Sequence, residues 1–413
     1  MKTEYEFVFR EDQPSNVQSS TQTAFFQVVL LVAVMVLVTV TAFLLGVMYE
    51  RRTNPANSVE MASFWQAWDI IEENFYGDLP DEDARKYGAI QGLVASLNDP
   101  FTSFAPPVQA EVRRQQIDGH FGGIGVTIDV NEDNQIIVAA VLPDNPGEKA
   151  GLLPGDIFLE VDGLPTSGWS TDILVQTVRG EIGTSVNLKM YRPTTEDTYE
   201  VSVRRAIIEL PTVSSENRDG VGYIYLSSFN GVATSQLETH LQRLLDEEVH
   251  SIILDLRGNG GGLLDQAVSV ADLFLDEGIV LTERSQDGGQ EIFRSDDGDA
   301  GEQIPMVILV DGGTASASEV VAGALRDRDR AMLIGQNTFG KGVVQLVYNL
   351  VDGSQLRVTS AAWYTPSGEA IHEMGLKPDV IVEFPTTAFS TEEEDPYIQA
   401  ALEYLSENYP AND

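Results

Sequence analysis

From about residue 207 onward, short β-rich apolar runs alternate with stretches of helical spacing, and this alternation constrains the fold more than any other feature. Residues 223–229, 252–256, 306–310 and 332–334 read as strands, and 236–247, 264–274 and 319–326 as the helices between them. Strands separated by helix-length crossovers imply a sheet with helices packed on it, an α/β layered core. Residues 343–363 read as a hairpin turned at Val351-Asp-Gly-Ser.

The pattern differs upstream. Residues 126–130, 136–142, 157–161 and 186–191 read as short strands among glycine turns, with one helix over 171–178. That is a small strand-rich domain set between the α/β core and a helical segment. The helical segment carries apolar residues at Phe64, Trp68, Ile71 and Phe75, stops at Asn98-Asp-Pro, and is followed by a polar helix over 107–118. Further upstream, 25–48 is apolar apart from Gln27, Thr39 and Thr41. As a helix it would run ~36 Å, enough to cross a ~30 Å hydrocarbon core, and it exceeds a signal peptide's apolar region. The expectation is therefore an uncleaved N-terminal transmembrane helix. Arg51 and Arg52 after it, against Lys2 and Arg10 before it, give too small a charge bias to orient it. The expected organisation is a polar tail (1–24), the transmembrane helix (25–48), a helical segment (53–107), the strand-rich domain with its lead-in helix (108–206), the core (207–388), and an acidic tail ending in a short helix (389–413).

Composition removes several classes of function. The formal net charge of -39 over 413 residues repels phosphate backbones, and no basic patch offsets it, so nucleic acid is excluded as a partner. No cysteine is present, which removes disulfides, thiolate metal sites and cysteine nucleophiles. The sequence leaves the oligomeric state open.

Two glycine-rich elements suggest binding and chemistry. In Phe121-Gly-Gly-Ile-Gly-Val, glycines free consecutive N–H groups to form a carboxylate nest beside a strand edge that an extended peptide can join. With Ala150-Gly-Leu-Leu-Pro-Gly-Asp-Ile-Phe-Leu-Glu-Val-Asp-Gly downstream, the segment resembles the PDZ pattern. The resemblance implies capture of a free peptide C-terminus between Gly123, Ile124, Gly125 and Val126 and the 171–178 helix. In the core, Gly335-Gln-Asn-Thr-Phe-Gly-Lys-Gly mimics a P-loop but has Gly342 where Mg²⁺ needs a hydroxyl, and His372-Glu-Met-Gly-Leu lacks the second histidine of a zinc motif. A serine and a lysine remain. Thr314-Ala-Ser-Ala-Ser-Glu opens a helix, where a hydroxyl lies beside unsatisfied N–H groups suited to an oxyanion, though helix capping is the commonest use of such residues. Lys341, among glycines and apolar residues, would be a general base if desolvated, or otherwise an exposed loop lysine. If 341–345 is extended, Gln345 shares its face and could orient the amine. Arg257-Gly-Asn-Gly-Gly-Gly is either a tight β–α turn or a second oxyanion donor.

Gly88–Phe104, the PDZ signature, Tyr223-Ile-Tyr-Leu-Ser-Ser-Phe-Asn, Leu254-Asp-Leu-Arg-Gly-Asn-Gly-Gly-Gly, Thr314-Ala-Ser-Ala-Ser-Glu, Thr338-Phe-Gly-Lys-Gly and Tyr364-Thr-Pro-Ser-Gly occur in one order. Together they resemble the C-terminal processing peptidases, or tail-specific proteases, over about 60–385. The resemblance implies an α/β multidomain chain with a ClpP/crotonase-like serine peptidase core. By it, Ser316 rather than Ser318 is the nucleophile, Lys341 the general base and Gln345 its orienting partner. It also implies oxyanion donors at the N–H groups of Ala317 and Gly262, and a structural role for Glu319. Gly258 departs from the family's usual Asn without touching a mapped role. The implied protein is a membrane-anchored serine endopeptidase acting on proteins with free C-termini, with an extracytoplasmic catalytic portion and no metal or cofactor. A rival expectation is a membrane-tethered PDZ scaffold without activity, which would tolerate loss of Ser316, Lys341 and Gln345.

Overall fold

The computed structural model describes residues 30–31, 34–43, 61–383 and 395–410. The expected transmembrane helix is corrected here: among the described residues, no helix is long and apolar enough to cross a membrane. Of the 25–48 run, only 30–31 and 34–43 are described, both helical, and the remainder, like the 1–24 tail, lies outside the described residues.

The chain divides into two compact units, 1–86 and 87–413. In the first lies helix α1 (Ala62–Asn74), where Phe64, Trp65 and Trp68 form an aromatic cluster with ring centroids 5.1–6.3 Å apart. Helix α2 spans Glu82–Ala95.

The second unit contains a strand-rich body and a core. Strand β1 (Ser103–Ala105) and helix α3 (Pro107–Asp118) lead to β2 (His120–Gly123). The strand-rich body follows: β3 (Val126–Val130), β4 (Ile136–Val141), α4 (Pro146–Lys149), β5 (Ile157–Val161), β6 (Leu164–Pro165), α5 (Thr171–Val178), β7 (Ser185–Arg192) and β8 (Asp197–Arg204). Its sheet runs β3-β4-β5-β7-β8 with β6 on β5. Strand β9 (Ala206–Glu209) pairs antiparallel with β2, so the two ends of this body are clamped together. Inside, alternate residues Val186, Leu188 and Met190 of β7 meet Leu174 and Val178 of α5, as period two against period 3.6 requires.

The core contains β10 (Val213–Arg218), β11 (Val221–Leu226), α6 (Ala233–Asp246), β12 (Ser251–Asp255), α7 (Leu264–Asp272), β13 (Gly278–Ser285), β14 (Gln290–Ser295), β15 (Met306–Val310), α8 (Ala317–Asp327), β16 (Met332–Gly335), β17 (Val343–Asn349), β18 (Gln355–Tyr364), β19 (Val380–Ile381) and α9 (Pro396–Asn408). The main sheet has the order β10-β11-β12-β15-β16-β19 and is parallel from β11 onward. Its central strands β12 and β15 are buried at every residue, which explains their apolar runs. Ile252, Leu254, Met306 and Ile308 pack toward α6, α7 and α8, while Ile253, Val307 and Leu309 face α9. A second sheet, β1-β18-β13-β14 with β17 on β18, lies beside it. The loops after β12 and β15 and the segment before β17 converge at the carboxyl ends of the parallel strands, where an open α/β sheet presents its crevice.

Candidate active site

Strand β15 ends at Val310, and the chain turns through Asp311–Ser316 into α8. Ser316 sits at that turn with φ 56 and ψ -117, a conformation a non-glycine residue adopts only under constraint from its surroundings. Much of the constraint comes from Glu319, which is fully buried. Its Oε2 accepts from the N–H groups of Ser316 (2.8 Å) and Lys341 (2.9 Å). Its Oε1 accepts from the Gly340 N–H (2.8 Å) and the Thr338 hydroxyl (2.5 Å). One carboxylate thus joins the serine turn to the lysine segment.

The turn after β12 packs against the same place. Buried Asn259 donates to the Leu226 carbonyl at 2.8 Å and accepts from the Gly261 N–H at 2.9 Å, while its own carbonyl accepts from the Ala315 N–H. Gly261 has φ +97, and a Cβ there would lie 2.7 Å from the Ala315 carbonyl oxygen and 2.8 Å from the Ala317 nitrogen. Only glycine fits. The N–H groups of Ala317 and Gly262 find no acceptor among the described residues. Ser318 differs from Ser316: its hydroxyl is buried and donates to the Asn259 carbonyl at 2.8 Å.

Lys341 Nζ donates to Gln345 Oε1 at 2.7 Å, and Gln345 Nε2 donates to the Phe101 carbonyl. The Phe101 ring centroid lies 5.3 Å from Nζ. Phe101 is held by Asp99, which accepts from the N–H groups of Phe101 and Thr102 and from the Thr102 hydroxyl. Burial raises the Asp99 carboxyl, but these hydrogen bonds prevail and hold it at about 2. Burial, and then the Arg357 guanidinium, push the Lys341 amine below the ordinary lysine range, against the opposing pull of Asp99 and Glu319. Ser316, Ala317, Gly262, Lys341 and Gln345 all line one cavity of about 320 Å³, whose other walls include Val320, Val344 and Trp363. Such a cavity, with a hydroxyl, a desolvated amine and two unpaired N–H groups, can support acyl transfer.

Gly123, Ile124, Gly125 and Val126 line a separate groove of about 340 Å³, opposite Leu174, Val175 and Val178 of α5. The N–H groups of Ile124 and Gly125 meet no backbone acceptor among the described residues, and Gly125 takes φ +72. Apolar walls and free N–H groups at one end suit an extended chain terminating in a carboxylate.

Several residues of the site were not singled out in the sequence. Asp99 lies in the Asn98-Asp-Pro stop, whose turn chemistry signals only a helix end, and Phe101 directly follows it. The Asp255–Arg257 pair was also missed: Arg257 Nη2 meets Asp255 at 2.5 Å and Nη1 meets Asp395 at 2.7 Å, fixing α9 beside the Gly258–Gly262 turn.

Three family models match the chain: "Peptidase family S41" over residues 220–382, "PDZ domain" over 137–192 and "Activating protease CtpB N-terminal domain" over 45–106. The carboxyl-terminal-processing protease of Synechocystis sp. (strain ATCC 27184 / PCC 6803 / Kazusa) is 37% identical over 349 residues, 83% of this chain and 82% of the relative. The carboxy-terminal processing protease CtpA of Bacillus subtilis (strain 168) is 34% identical over 343 residues, 83% and 72% of the two chains. The solved photosystem II D1 C-terminal processing protease is 30% identical, with a TM-score of 0.45 over 83% of this chain and 92% of that one.

Proposed function

Because this chain belongs to the carboxyl-terminal processing proteases of peptidase family S41, serine-type endopeptidases, we propose that it cleaves proteins captured by their free C-termini, through a Ser–Lys acyl-enzyme. Ser316 is the nucleophile and Lys341 the general base. Gln345 orients the amine, and the N–H groups of Ala317 and Gly262 hold the oxyanion. The observation that carries this reading is the constrained Ser316 turn, flanked by two unpaired N–H groups and sharing a cavity with a partly desolvated lysine.

The chemistry follows from these groups. A lowered pKa leaves more of Lys341 neutral at a given pH, so Nζ can accept the Ser316 proton as Oγ attacks the scissile carbonyl. In the present geometry Nζ is engaged by Gln345, and the contact with Oγ forms when substrate is seated, as catalytic hydrogen bonds often tighten only then. The carbonyl oxygen becomes an oxyanion between Ala317 and Gly262. Collapse expels the amine, which takes the proton from Lys341. Water, deprotonated by Lys341, then releases the acyl group from Ser316. The groove at Gly123, Ile124, Gly125 and Val126 takes the substrate's terminal carboxylate and last apolar residues. We also propose, on the family resemblance, that the catalytic portion works outside the cytoplasm; digestion by protease added to intact cells checks this.

The test of the mechanism is cleavage of an unfolded protein with an apolar tail. Ser316→Ala should abolish it, while Ser318→Ala, which loses only a hydroxyl bonded to Asn259, should retain most of it. A dead Ser318→Ala chain beside an active Ser316→Ala chain would refute the assignment.

A further inference from the structure

A second cavity, of about 430 Å³, adjoins the catalytic one and shares with it Gly262, Lys341, Gln345, Arg357 and Ile117. Its character is different. Arg113 from α3 and Arg357 from β18 join Lys341 on its walls, and no acidic side chain lines it. Neither arginine has a carboxylate partner among the described residues. Arg357 Nε meets only the Gln355 side-chain oxygen, at 3.3 Å. Arg113 Nη1 is buried and finds no hydrogen-bond partner among the described residues.

In a chain of net charge -39 this arrangement is unusual. The adjacent Arg114 pairs with Glu111, and Arg257 pairs with two carboxylates. The nearby acids are already engaged: Asp99 by the Phe101–Thr102 turn and Glu319 by its four donors. Both arginines line the one cavity, and burial, and then the like charge of Arg113, push the Arg357 guanidinium down. A buried guanidinium donor left unmatched is costly, and a carboxylate is its best partner in both charge and fork geometry.

We propose that Arg113 and Arg357 form a subsite for a carboxylate of the substrate beside the scissile bond. The proposal rests on the Ser316–Lys341 reading of the neighbouring cavity for the position of that bond. The carboxylate can belong to an acidic side chain close to the cleaved bond or to the newly formed C-terminus of the product. In either case the subsite selects substrates by charge, while the 320 Å³ cavity on the other side of Lys341 offers Val320, Val344 and Trp363 to an apolar residue.

The experiment uses the full chain and peptides that share one apolar C-terminal tail and differ only in Glu or Gln at single positions on either side of the cleaved bond. At one position the Glu peptide should be cleaved about tenfold better in kcat/KM than its Gln twin. Arg113→Gln and Arg357→Gln should each bring this Glu/Gln ratio toward one. Arg113→Lys, which keeps the charge, should preserve most of it and so separates lost charge from a damaged fold. In a second arm, N-terminal-side product peptides are compared as inhibitors in the free-acid and amide forms. A free-acid advantage that Arg113→Gln removes, without any Glu/Gln difference, assigns the carboxylate to the product's new terminus. Equal behaviour in both arms overturns the subsite yet leaves peptide cleavage, and hence the Ser316 reading, intact. If no peptide is cut, the Ser316 reading fails instead, and anisotropy of the labelled Glu and Gln peptides on the same chain decides the subsite; equal affinities refute it.

Discussion

Glu319→Gln tests whether one buried carboxylate holds the catalytic parts in register. The substitution keeps the shape and replaces one oxygen by an NH₂ group. On the Oε2 side that group would face two backbone donors, the N–H groups of Ser316 and Lys341, neither of which can become an acceptor. The amide therefore turns its NH₂ toward the Oε1 side, where the Thr338 hydroxyl can rotate to accept but the Gly340 N–H cannot. One buried N–H is left unmatched, at about 1–3 kcal/mol, and the surviving bonds lose their charge assistance, roughly 1 kcal/mol more. The total of ~2–4 kcal/mol falls on the linkage that keeps Ser316 at φ 56. If about half of it is relieved by relaxation of that turn, kcat falls by roughly five- to thirtyfold, because misplaced reacting groups forfeit orientation rather than binding. KM should change little, and the melting temperature should drop by several degrees. Steady-state cleavage of an unfolded tailed protein, with thermal unfolding monitored in parallel, reads both effects. An unchanged kcat together with unchanged stability would mean that the four hydrogen bonds position nothing.

Activity should fall as pH falls through the Lys341 pKa, because only the neutral amine accepts the Ser316 proton; with that pKa lowered by burial, the acid limb of kcat/KM should lie below the pH of an ordinary lysine. A limb at or above the ordinary lysine value would contradict the desolvated base. Gly261→Ala drives a Cβ onto the Ala315 carbonyl and the Ala317 nitrogen; the expected result is loss of at least about a hundredfold in kcat, the scale of a lost oxyanion donor, with peptide binding to the PDZ groove retained. Amidating the substrate's C-terminus should lower kcat as well as affinity if the groove gates the catalytic site, and a change in KM alone, measured up to saturating substrate, would make the domain a passive tether. Chelators should leave cleavage unaffected, and inhibition reversed by added metal would refute the Ser–Lys mechanism.

The legible parts of the sequence were those set by local rules. The spacing predicts a helix at 171–178, and α5 occupies Thr171–Val178. The glycines at Gly123, Gly125, Gly261 and Gly262 announce backbone that must pass close to something, although not what. The β13–β14 hairpin was not foreseen, because Gln290-Glu-Ile-Phe-Arg-Ser lacks clean alternation and its strand faces are largely exposed. Lys341 and Gln345 meet at 2.7 Å even though the strand begins only at Val343, so their contact does not depend on the whole 341–345 segment being strand. Contacts between distant segments leave no local signal. Arg257 and Asp395, 138 positions apart, are joined only by the folded core. The apolar run at 25–48 shows the opposite case: composition alone suggested a transmembrane helix, and among the described residues no helix is long and apolar enough to cross a membrane.

Helix α3 links the two sites physically. At its C-terminal end, Gln115 accepts from Arg179 Nη1 at 3.4 Å, and Arg179 lines the peptide groove with its guanidinium 3.7 Å from the Phe121 ring centroid. From the same helix, Arg113 and Ile117 line the cavities around Lys341. Gln115 is two residues from each, so one short helix lines the cavities around Lys341 and also hydrogen-bonds a residue of the groove wall. The 3.4 Å contact lies at the long end of a hydrogen bond and is within reach of a small rotation. The β2–β9 clamp holds both ends of the strand-rich body at one place, which favours rotation about that clamp over translation. A terminal carboxylate drawn to the groove's N–H groups would attract Arg179 and compete with Gln115 for it. The resulting shift of α3 would reach Arg113 before it reached Ser316. Tail binding should therefore alter the charge selectivity of the second cavity as well as turnover, which a passive tether would not do.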